Sequence, residues 1–168
     1  MKPLISIIMG STSDLPIIKK AAAFLNEMQI PFEMNALSAH RTPHEVEEFA
    51  ENAAARGIKV IIAAAGMSAA LPGVIAAHTS LPVIGLPINS TLSGVDALLS
   101  IVQMPPAIPV ASVGVDAALN AAVLATRILA LNDLELLKRL HEFESSLSHK
   151  IVKANEELEE VKYTYKTN

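Results

Sequence analysis

Short segments of almost wholly apolar sequence recur along this chain, and segments with helical patterning separate them. Four of these runs have the length of a β-strand: Leu4–Met9, Val60–Ala65, Val83–Pro87 and Val110–Val115. A weaker fifth run, Phe32–Leu37, falls between the first two. A continuous apolar run is typical of a parallel strand that is covered on both faces. The sequence therefore predicts a parallel sheet between two layers of helices.

The separating segments support this prediction. Apolar residues recur at i, i+3, i+4 and i+7 in Ile18–Leu25 and in Val46–Ala53, which is the period of an amphipathic helix. We expect the second helix to begin at the N-cap Thr42, with Glu45 closing a capping box, and to end at Gly57. Alternating strands and helices predict right-handed βαβ units and a three-layer α/β/α sandwich.

Two further helices are expected after the last strand. Asp116–Leu131 is apolar nearly all round and should be buried. From Glu135 to about Tyr163, apolar residues recur every 3.6 residues or so, which predicts one stripe along a long helix. This helix could pack on its own domain, but we favour docking on another subunit. We thus predict a single domain over residues 1–168, with an α/β core (1–131) and a helical extension (132–168) that packs on a neighbouring subunit.

Charge is distributed unevenly along the chain. The formal net charge is −4, and Asp96 is the only formally charged residue between Lys59 and Asp116. A spanning helix needs about 20 consecutive apolar residues, and glycines and prolines divide this stretch into shorter pieces. We therefore expect no membrane partner, and expect part of the neutral stretch to lie at a subunit interface. The negative net charge argues against a nucleic-acid partner, because such partners are bound by basic surfaces.

Composition narrows the protein class further. Hydrophobic residues make up 51% of the chain and charged residues 18%, which excludes a disordered protein. The chain has no cysteine, which excludes disulfides, thiolate zinc sites and cysteine nucleophiles. The N-terminal apolar run is too short for a signal peptide, so a cytoplasmic location is expected.

Candidate site residues follow the strands, because ligands of an open parallel sheet bind beyond the carboxyl ends of its strands. The first strand is followed by Gly10-Ser11-Thr12-Ser13-Asp14, which suits an anion and equally suits a helix cap. After the second strand, Ser38-Ala39-His40-Arg41-Thr42-Pro43 combines an imidazole for proton transfer with a guanidinium for phosphate. The same sequence would also be expected if His40 were a solvated loop histidine and Arg41 a surface arginine.

The other strand ends carry fewer chemical groups. Gly66–Gly73 offers small residues and free backbone N–H groups, and Asn89–Asp96 is a polar turn. Histidines and carboxylates do not recur at metal-ligand spacing, so no metal site is expected. We interpret His78, His141 and His149 as structural or solvent-exposed. A serine-histidine-aspartate triad would lack its Gly-x-Ser-x-Gly turn.

Four of these segments together resemble the N5-carboxyaminoimidazole ribonucleotide (N5-CAIR) mutases of de novo purine synthesis. They are Gly10–Asp14, Ser38–Pro43, Leu71-Pro72-Gly73 and Ser100-Ile101-Val102-Gln103-Met104-Pro105, in order within residues 4–131. The resemblance implies a flavodoxin-like subunit, a homo-octamer, and neither a metal nor an organic cofactor. It also implies conversion of N5-CAIR to 4-carboxy-5-aminoimidazole ribonucleotide (CAIR).

The resemblance also implies residue roles. His40 would be the acid/base, Ser11, Ser38 and Arg41 would contact phosphate, and Asp14 a ribose hydroxyl. The predicted substrate-binding set is Ser11, Ser13, Asp14, Ser38, Ala39, Arg41, Gly66, Met67, Ser68, Ala69, Ala70 and Leu71.

Two alternatives remain at this point. Ala70 stands where the mutases usually have a second histidine, and the surrounding stretch is closer to the carboxylases that use 5-aminoimidazole ribonucleotide (AIR) and CO2 directly. The mutase-like residues are Arg41, Pro43, Pro72 and the Gln103-Met104-Pro105 stretch. A non-catalytic nucleotide-binding module on the same fold is the second alternative, although such a module has no need of His40.

Overall fold

The computed structural model describes residues 1–167, and in it a five-stranded parallel sheet lies between two helical layers. The strands are β1 (Ile5–Met9), β2 (Phe32–Ala36), β3 (Val60–Gly66), β4 (Val83–Ile88) and β5 (Ala111–Ser112). The helices are α1 (Leu15–Glu27), α2 (Pro43–Arg56), α3 (Leu71–Ala77), α4 (Val95–Val102), α5 (Ala118–Ala130) and α6 (Leu134–Glu160). The strand order is β2-β1-β3-β4-β5. This confirms the predicted α/β/α sandwich, and the order is that of flavodoxin-like proteins.

Each face of the sheet has its own apolar core, because successive strand side chains point to opposite faces. Ile7 and Ile62 pack with helices α1, α5 and α6 in one core. Ile8 and Ile61 pack with helices α2, α3 and α4 in the other. Strand β1 runs beside β3 with Ile7 opposite Ile62, so the central strands supply both cores. This two-sided burial explains why their sequences are nearly all apolar rather than alternating.

Helix α2 begins and ends near the predicted residues, but one predicted contact is wrong. Pro43 occupies the first turn, and Gly57 ends the helix in the left-handed conformation at φ 105°. Thr42 occupies the N-cap position without making a side-chain cap hydrogen bond, so the capping box with Glu45 does not form. The Thr42 hydroxyl bonds to the backbone of Ser38 instead.

The last strand is shorter than its apolar run. Only Ala111–Ser112 of the predicted Val110–Val115 pairs regularly with β4. Two isolated backbone hydrogen bonds continue the contact, from Val113 N to Gly85 O at 3.2 Å and from Asp116 N to Pro87 O at 2.9 Å. Asp116 adopts a positive φ of 55°, which turns the chain out of strand geometry.

Helix α6 packs on the rest of its own chain over its first half. Leu136 and Leu140 are buried, and Phe143 packs edge-on against Phe24 with ring centroids 4.8 Å apart. Farther along, Leu147 and Ile151 are exposed, as are the remaining large apolar residues of the stripe. The 27-residue helix is about 40 Å long at 1.5 Å per residue, so it extends past the sandwich. Within residues 1–167, no helix is long and apolar enough to span a membrane.

Candidate active site

Loops from neighbouring strands enclose a cleft of about 620 Å³ at the carboxyl edge of the sheet. Its lining combines hydroxyls, backbone groups, an imidazole, a guanidinium and a carboxyl group. The lining residues are Gly10, Ser11, Ser13, Asp14, Ser38, Ala39, His40, Arg41, Ala65, Gly66, Met67, Ser68, Ala69, Ala70, Leu71 and Ser90. All the residues proposed from the sequence thus lie in one cleft, and their individual roles remain predictions.

The loop after β1 supplies hydroxyls and a carboxyl group. The Ser11 side chain accepts a hydrogen bond from Ser13 N at 3.2 Å, which begins a short 3₁₀ turn. Ser13 Oγ donates to Asp14 Oδ1 at 3.1 Å. Partial burial raises the pKa of Asp14 above its ordinary value, hydrogen bonds from Ser13 and Ser11 oppose this, and the negative charge of Asp116 adds to it. The cleft therefore holds a desolvated carboxyl group beside the first helix.

The loop after β2 carries the imidazole and the guanidinium. Arg41 Nη2 donates to the Gly10 carbonyl at 2.7 Å, and Arg41 Nε donates to Ser38 Oγ at 3.3 Å. The Thr42 hydroxyl accepts from Ser38 N at 2.9 Å and donates to Ser38 O at 3.1 Å. These contacts close the turn that presents His40, whose side chain is exposed to the cleft. The Thr42 hydroxyl, expected to cap a helix, shapes the His40 loop instead.

The loop after β3 offers backbone rather than ionisable side chains. Met67 is held at φ 56°, a left-handed conformation that is uncommon for a residue other than glycine. Ala69 N donates to Met67 O at 2.9 Å, and α3 begins at Leu71. Strained backbone is concentrated at functional sites, where the surrounding structure maintains it. This turn can face a planar ring or a carboxylate without introducing a second acid or base.

Ser90 lines the cleft and was missed as a site residue by the sequence analysis. Its loop follows β4, so the rule that points to strand ends could have found it. A Cβ atom added to Gly66 would lie 3.1 Å from the Cβ of Ser90, so the two loops meet at a position that favours glycine. Asp116 Oδ1 accepts a hydrogen bond from Asn89 N at 2.9 Å and holds the loop there.

One group of side chains outside the cleft has the composition of a metal-ligand set, and the expectation that no metal binds stays a prediction. Glu47, Glu51 and His78 bring one ligand atom each to within 4.8 Å of one another. His78 lies on a different element from the two glutamates, so sequence spacing could not reveal the group. The available signal was the i, i+4 spacing of Glu47 and Glu51 on one helix face.

The fold and the cleft define a flavodoxin-like α/β protein with a polar cleft at the carboxyl edge of its sheet. The sequence matches the AIR carboxylase family over residues 4–150. This match covers most of the 168 residues, and the chain belongs to that family.

Curated relatives and a solved structure place the chain within this family. It is 52% identical over 161 residues to N5-carboxyaminoimidazole ribonucleotide mutase from Pyrococcus horikoshii, covering 95% of this chain and 91% of that protein. It is 48% identical over 164 residues to phosphoribosylaminoimidazole carboxylase from Saccharomyces cerevisiae, covering 97% of this chain but only 29% of that protein. The crystal structure of Treponema denticola PurE superposes with a TM-score of 0.81 at 31% identity, covering 93% of this chain and 98% of that one.

Proposed function

We propose that this protein is an N5-CAIR mutase that forms CAIR in purine biosynthesis. The single observation that carries the proposal is the placement of His40 between Ser38 and Arg41 in a cleft that also holds Asp14. The identity of 52% to the Pyrococcus horikoshii mutase, over 95% of this chain, supports the same conclusion. A ribonucleotide anchored by its phosphate would put its ring within reach of the imidazole.

The cleft suits the successive parts of such a substrate. We assign the phosphate to Ser11, Ser38 and Arg41, because a guanidinium presents a rigid fork to phosphate oxygens. Asp14 would accept a hydrogen bond from a ribose hydroxyl. The backbone of Gly66–Ala70 would face the aminoimidazole and its carboxylate, where free N–H groups can donate to an anion.

The proposed reaction moves one carboxyl group in two steps. The bond between N5 and the carboxyl carbon breaks, CO2 is released, and protonated His40 gives its proton to N5 to form AIR. The C4 atom of AIR then attacks the retained CO2, a C4–carbon bond forms, and His40 takes the C4 proton. The net change is an isomerisation that leaves His40 protonated again. A closed cleft favours the second step because it holds CO2 beside C4 and raises the effective concentration.

The test is a comparison of two substrate supplies with the same purified protein. Exhaustively chelated protein should convert N5-CAIR to CAIR, followed by absorbance, without ATP, added metal or bicarbonate. A mutase keeps its rate when free CO2 is removed continuously. Turnover only with AIR and high CO2 would show that the protein is the direct carboxylase.

The direct AIR carboxylase is the second candidate, and one observation favours it. Ala70 lines the cleft directly before α3, so the site has no second imidazole at that position. The carboxylase from Saccharomyces cerevisiae is 48% identical to this chain. The substrate comparison above separates the two reactions.

We also propose that the protein works as a homo-oligomer, with an octamer expected from the resemblance, in the cytoplasm. The exposed apolar stripe on the second half of α6 supports assembly, with Ile151 67% and Leu158 55% exposed. Helix α4 exposes Val95, Leu99 and Val102 on one side, at i, i+4 and i+7. Water-exposed apolar surface of this extent is typical of protein–protein contacts. Of the helical extension over 132–168, the part beyond Phe143 would pack on a neighbouring subunit, because the part before it packs on its own chain.

A further inference from the structure

Two helices that lead away from the cleft bring a histidine and two glutamates together on the protein surface. Glu47 and Glu51 stand one turn apart on α2, and His78 follows the last residue of α3. One ligand atom from each lies within 4.8 Å of the others. His78 Nδ1 is 3.8 Å from Glu47 Oε1 and 3.8 Å from Glu51 Oε1.

These distances suit a bridging cation better than direct hydrogen bonds. A contact of 3.8 Å is beyond the hydrogen-bond range of about 2.7–3.2 Å. Zinc–ligand bonds of about 2.0–2.2 Å put neighbouring ligand atoms of a tetrahedral site about 3.4 Å apart. Rotations of these exposed side chains would bring the three ligand atoms, now within 4.8 Å of one another, to that spacing. We propose that Glu47, Glu51 and His78 bind a zinc-class divalent transition-metal ion, with water completing its coordination.

The composition of the group favours this class of ion. An imidazole nitrogen suits zinc and its transition-metal neighbours, whereas magnesium prefers a site made of oxygen ligands. Within residues 1–167 neither glutamate has a lysine or arginine partner, since the arginine ion pairs join Arg56 to Glu33 and Arg127 to Glu144. Two carboxylates whose recorded ion-pair partner is His78 alone therefore provide a local negative field that attracts a cation.

The helices that carry the ligands are held in place without the ion. Val46 and Ala50 on α2 and Ile75 on α3 are all fully buried in the same apolar core. Only side chains have to adjust, with His78 33% exposed, Glu47 48% and Glu51 59%. A bound ion would tie α2, which follows the His40 loop, to α3, which follows the Gly66–Ala70 loop.

The test is zinc titration of the metal-stripped, full-length protein by calorimetry, with magnesium as the comparison ion. We expect one zinc per chain at this site and no comparable magnesium binding. His78→Ala and Glu51→Gln should each weaken zinc binding at least tenfold, because loss of even an outer-shell partner costs about 10–100-fold. The matched controls His149→Ala and Glu48→Gln change exposed residues outside the group and should leave zinc binding unchanged.

Thermal unfolding gives a second readout that does not depend on activity. A ligand that binds only the folded state raises the unfolding temperature. Zinc should raise it for the wild type and both controls, and much less for His78→Ala and Glu51→Gln. Circular dichroism establishes that each variant is folded, and Glu51→Gln changes an exposed side chain that should not affect folding. Unchanged zinc affinity in either ligand variant, or equally tight magnesium binding, would overturn the proposal.

Discussion

The guanidinium of Arg41 is hydrogen-bonded to the carbonyl oxygen of Gly10, with Nη2 and O separated by 2.7 Å. The two residues lie 31 positions apart in the chain, after the adjacent strands β2 and β1. A second bond from Arg41 Nε to Ser38 Oγ leaves the planar group spanning both loops. The cation is therefore positioned before any ligand arrives, and such preorganisation lowers the entropic cost of binding.

Arg41→Lys should raise KM for N5-CAIR roughly ten- to a hundredfold and leave kcat nearly unchanged. Lysine keeps the charge but loses the rigid fork, and hydrogen bonds to charged groups contribute about 1.5–3 kcal/mol. Steady-state kinetics measure the effect. Arg56→Lys is the matched control, because Arg56 pairs with Glu33 and packs over Phe49, away from the cleft. An unchanged KM in Arg41→Lys would remove Arg41 from the phosphate site.

Much of the fold could be predicted because the apolar pattern reports burial directly. The residues of Ile5–Met9 and Val83–Ile88 are buried throughout, so their sequences are nearly all apolar. The exception is Ser6, whose hydroxyl donates to Glu33 Oε1 at 2.9 Å. The site could be located for a related reason, since parallel strands all present their carboxyl ends at one edge. Loops that are distant in sequence, such as Gly10–Asp14 and Gly66–Leu71, therefore meet in one cleft.

The missed features depend on contacts between elements or on competing local bonds. The Thr42 hydroxyl could cap α2 or close the loop back to Ser38, and only the folded loop shows that it does the latter. His78 joins Glu47 and Glu51 only because α2 and α3 pack together. The last strand pairs regularly with β4 only at Ala111 and Ser112, and an apolar run indicates burial but not where the pairing ends.

Asp14→Asn should stabilise the protein at neutral pH and have little effect in acid. Partial burial raises the pKa of Asp14 in the folded state, so folding favours the protonated form. That stabilising contribution is fully present below the ordinary aspartate pKa of about 3.9 and is lost as the pH rises through the raised value. Asparagine does not ionise, so the variant does not lose stability in this way as the pH rises. Because Asp14 is partly solvated, the gain should be modest.

The measurement compares the thermal unfolding midpoints of the wild type and Asp14→Asn at equal protein concentration. The pH series runs from below the ordinary aspartate pKa to neutral pH. The midpoint difference should grow from acid toward neutral pH. Turnover by the same variant should fall, since an amide replaces the carboxylate proposed for the ribose hydroxyl. A midpoint difference that is constant with pH would contradict the desolvated state of Asp14.

Ile151→Glu should shift the protein toward smaller assemblies. Ile151 lies on the apolar stripe of α6, beyond the part that packs on its own subunit, and is 67% exposed. A charge there would be desolvated in any subunit contact that covers the stripe. Light scattering with size-exclusion chromatography measures the mass. Lys153→Glu also introduces an acidic residue on the second half of α6, but outside the stripe, and should leave the assembly intact. A wild-type monomer of 17.8 kDa would contradict the proposed assembly itself.

His40→Asn is the substitution that tests the proposed chemistry most directly. His40 lies in the cleft beside Ser38 and Arg41, in a turn closed by hydrogen bonds that Thr42 Oγ1 and Arg41 N donate to Ser38. Asparagine keeps part of the size and hydrogen bonding but cannot shuttle a proton between N5 and C4. General acid–base catalysis contributes about 10²–10⁴-fold, so kcat should fall by at least about a hundredfold while KM changes little.

The matched control for this variant is His44→Asn. His44 lies in the first turn of α2, four residues from His40, and is outside the residues that line the cleft. Its substitution should leave turnover unchanged, which separates loss of the proton carrier from general disturbance of the loop. The cleft presents Ala70 where a second imidazole could have compensated, so little activity should remain in His40→Asn. Retention of more than about a tenth of wild-type kcat would show that another group moves the proton, because that loss is far smaller than acid–base catalysis supplies.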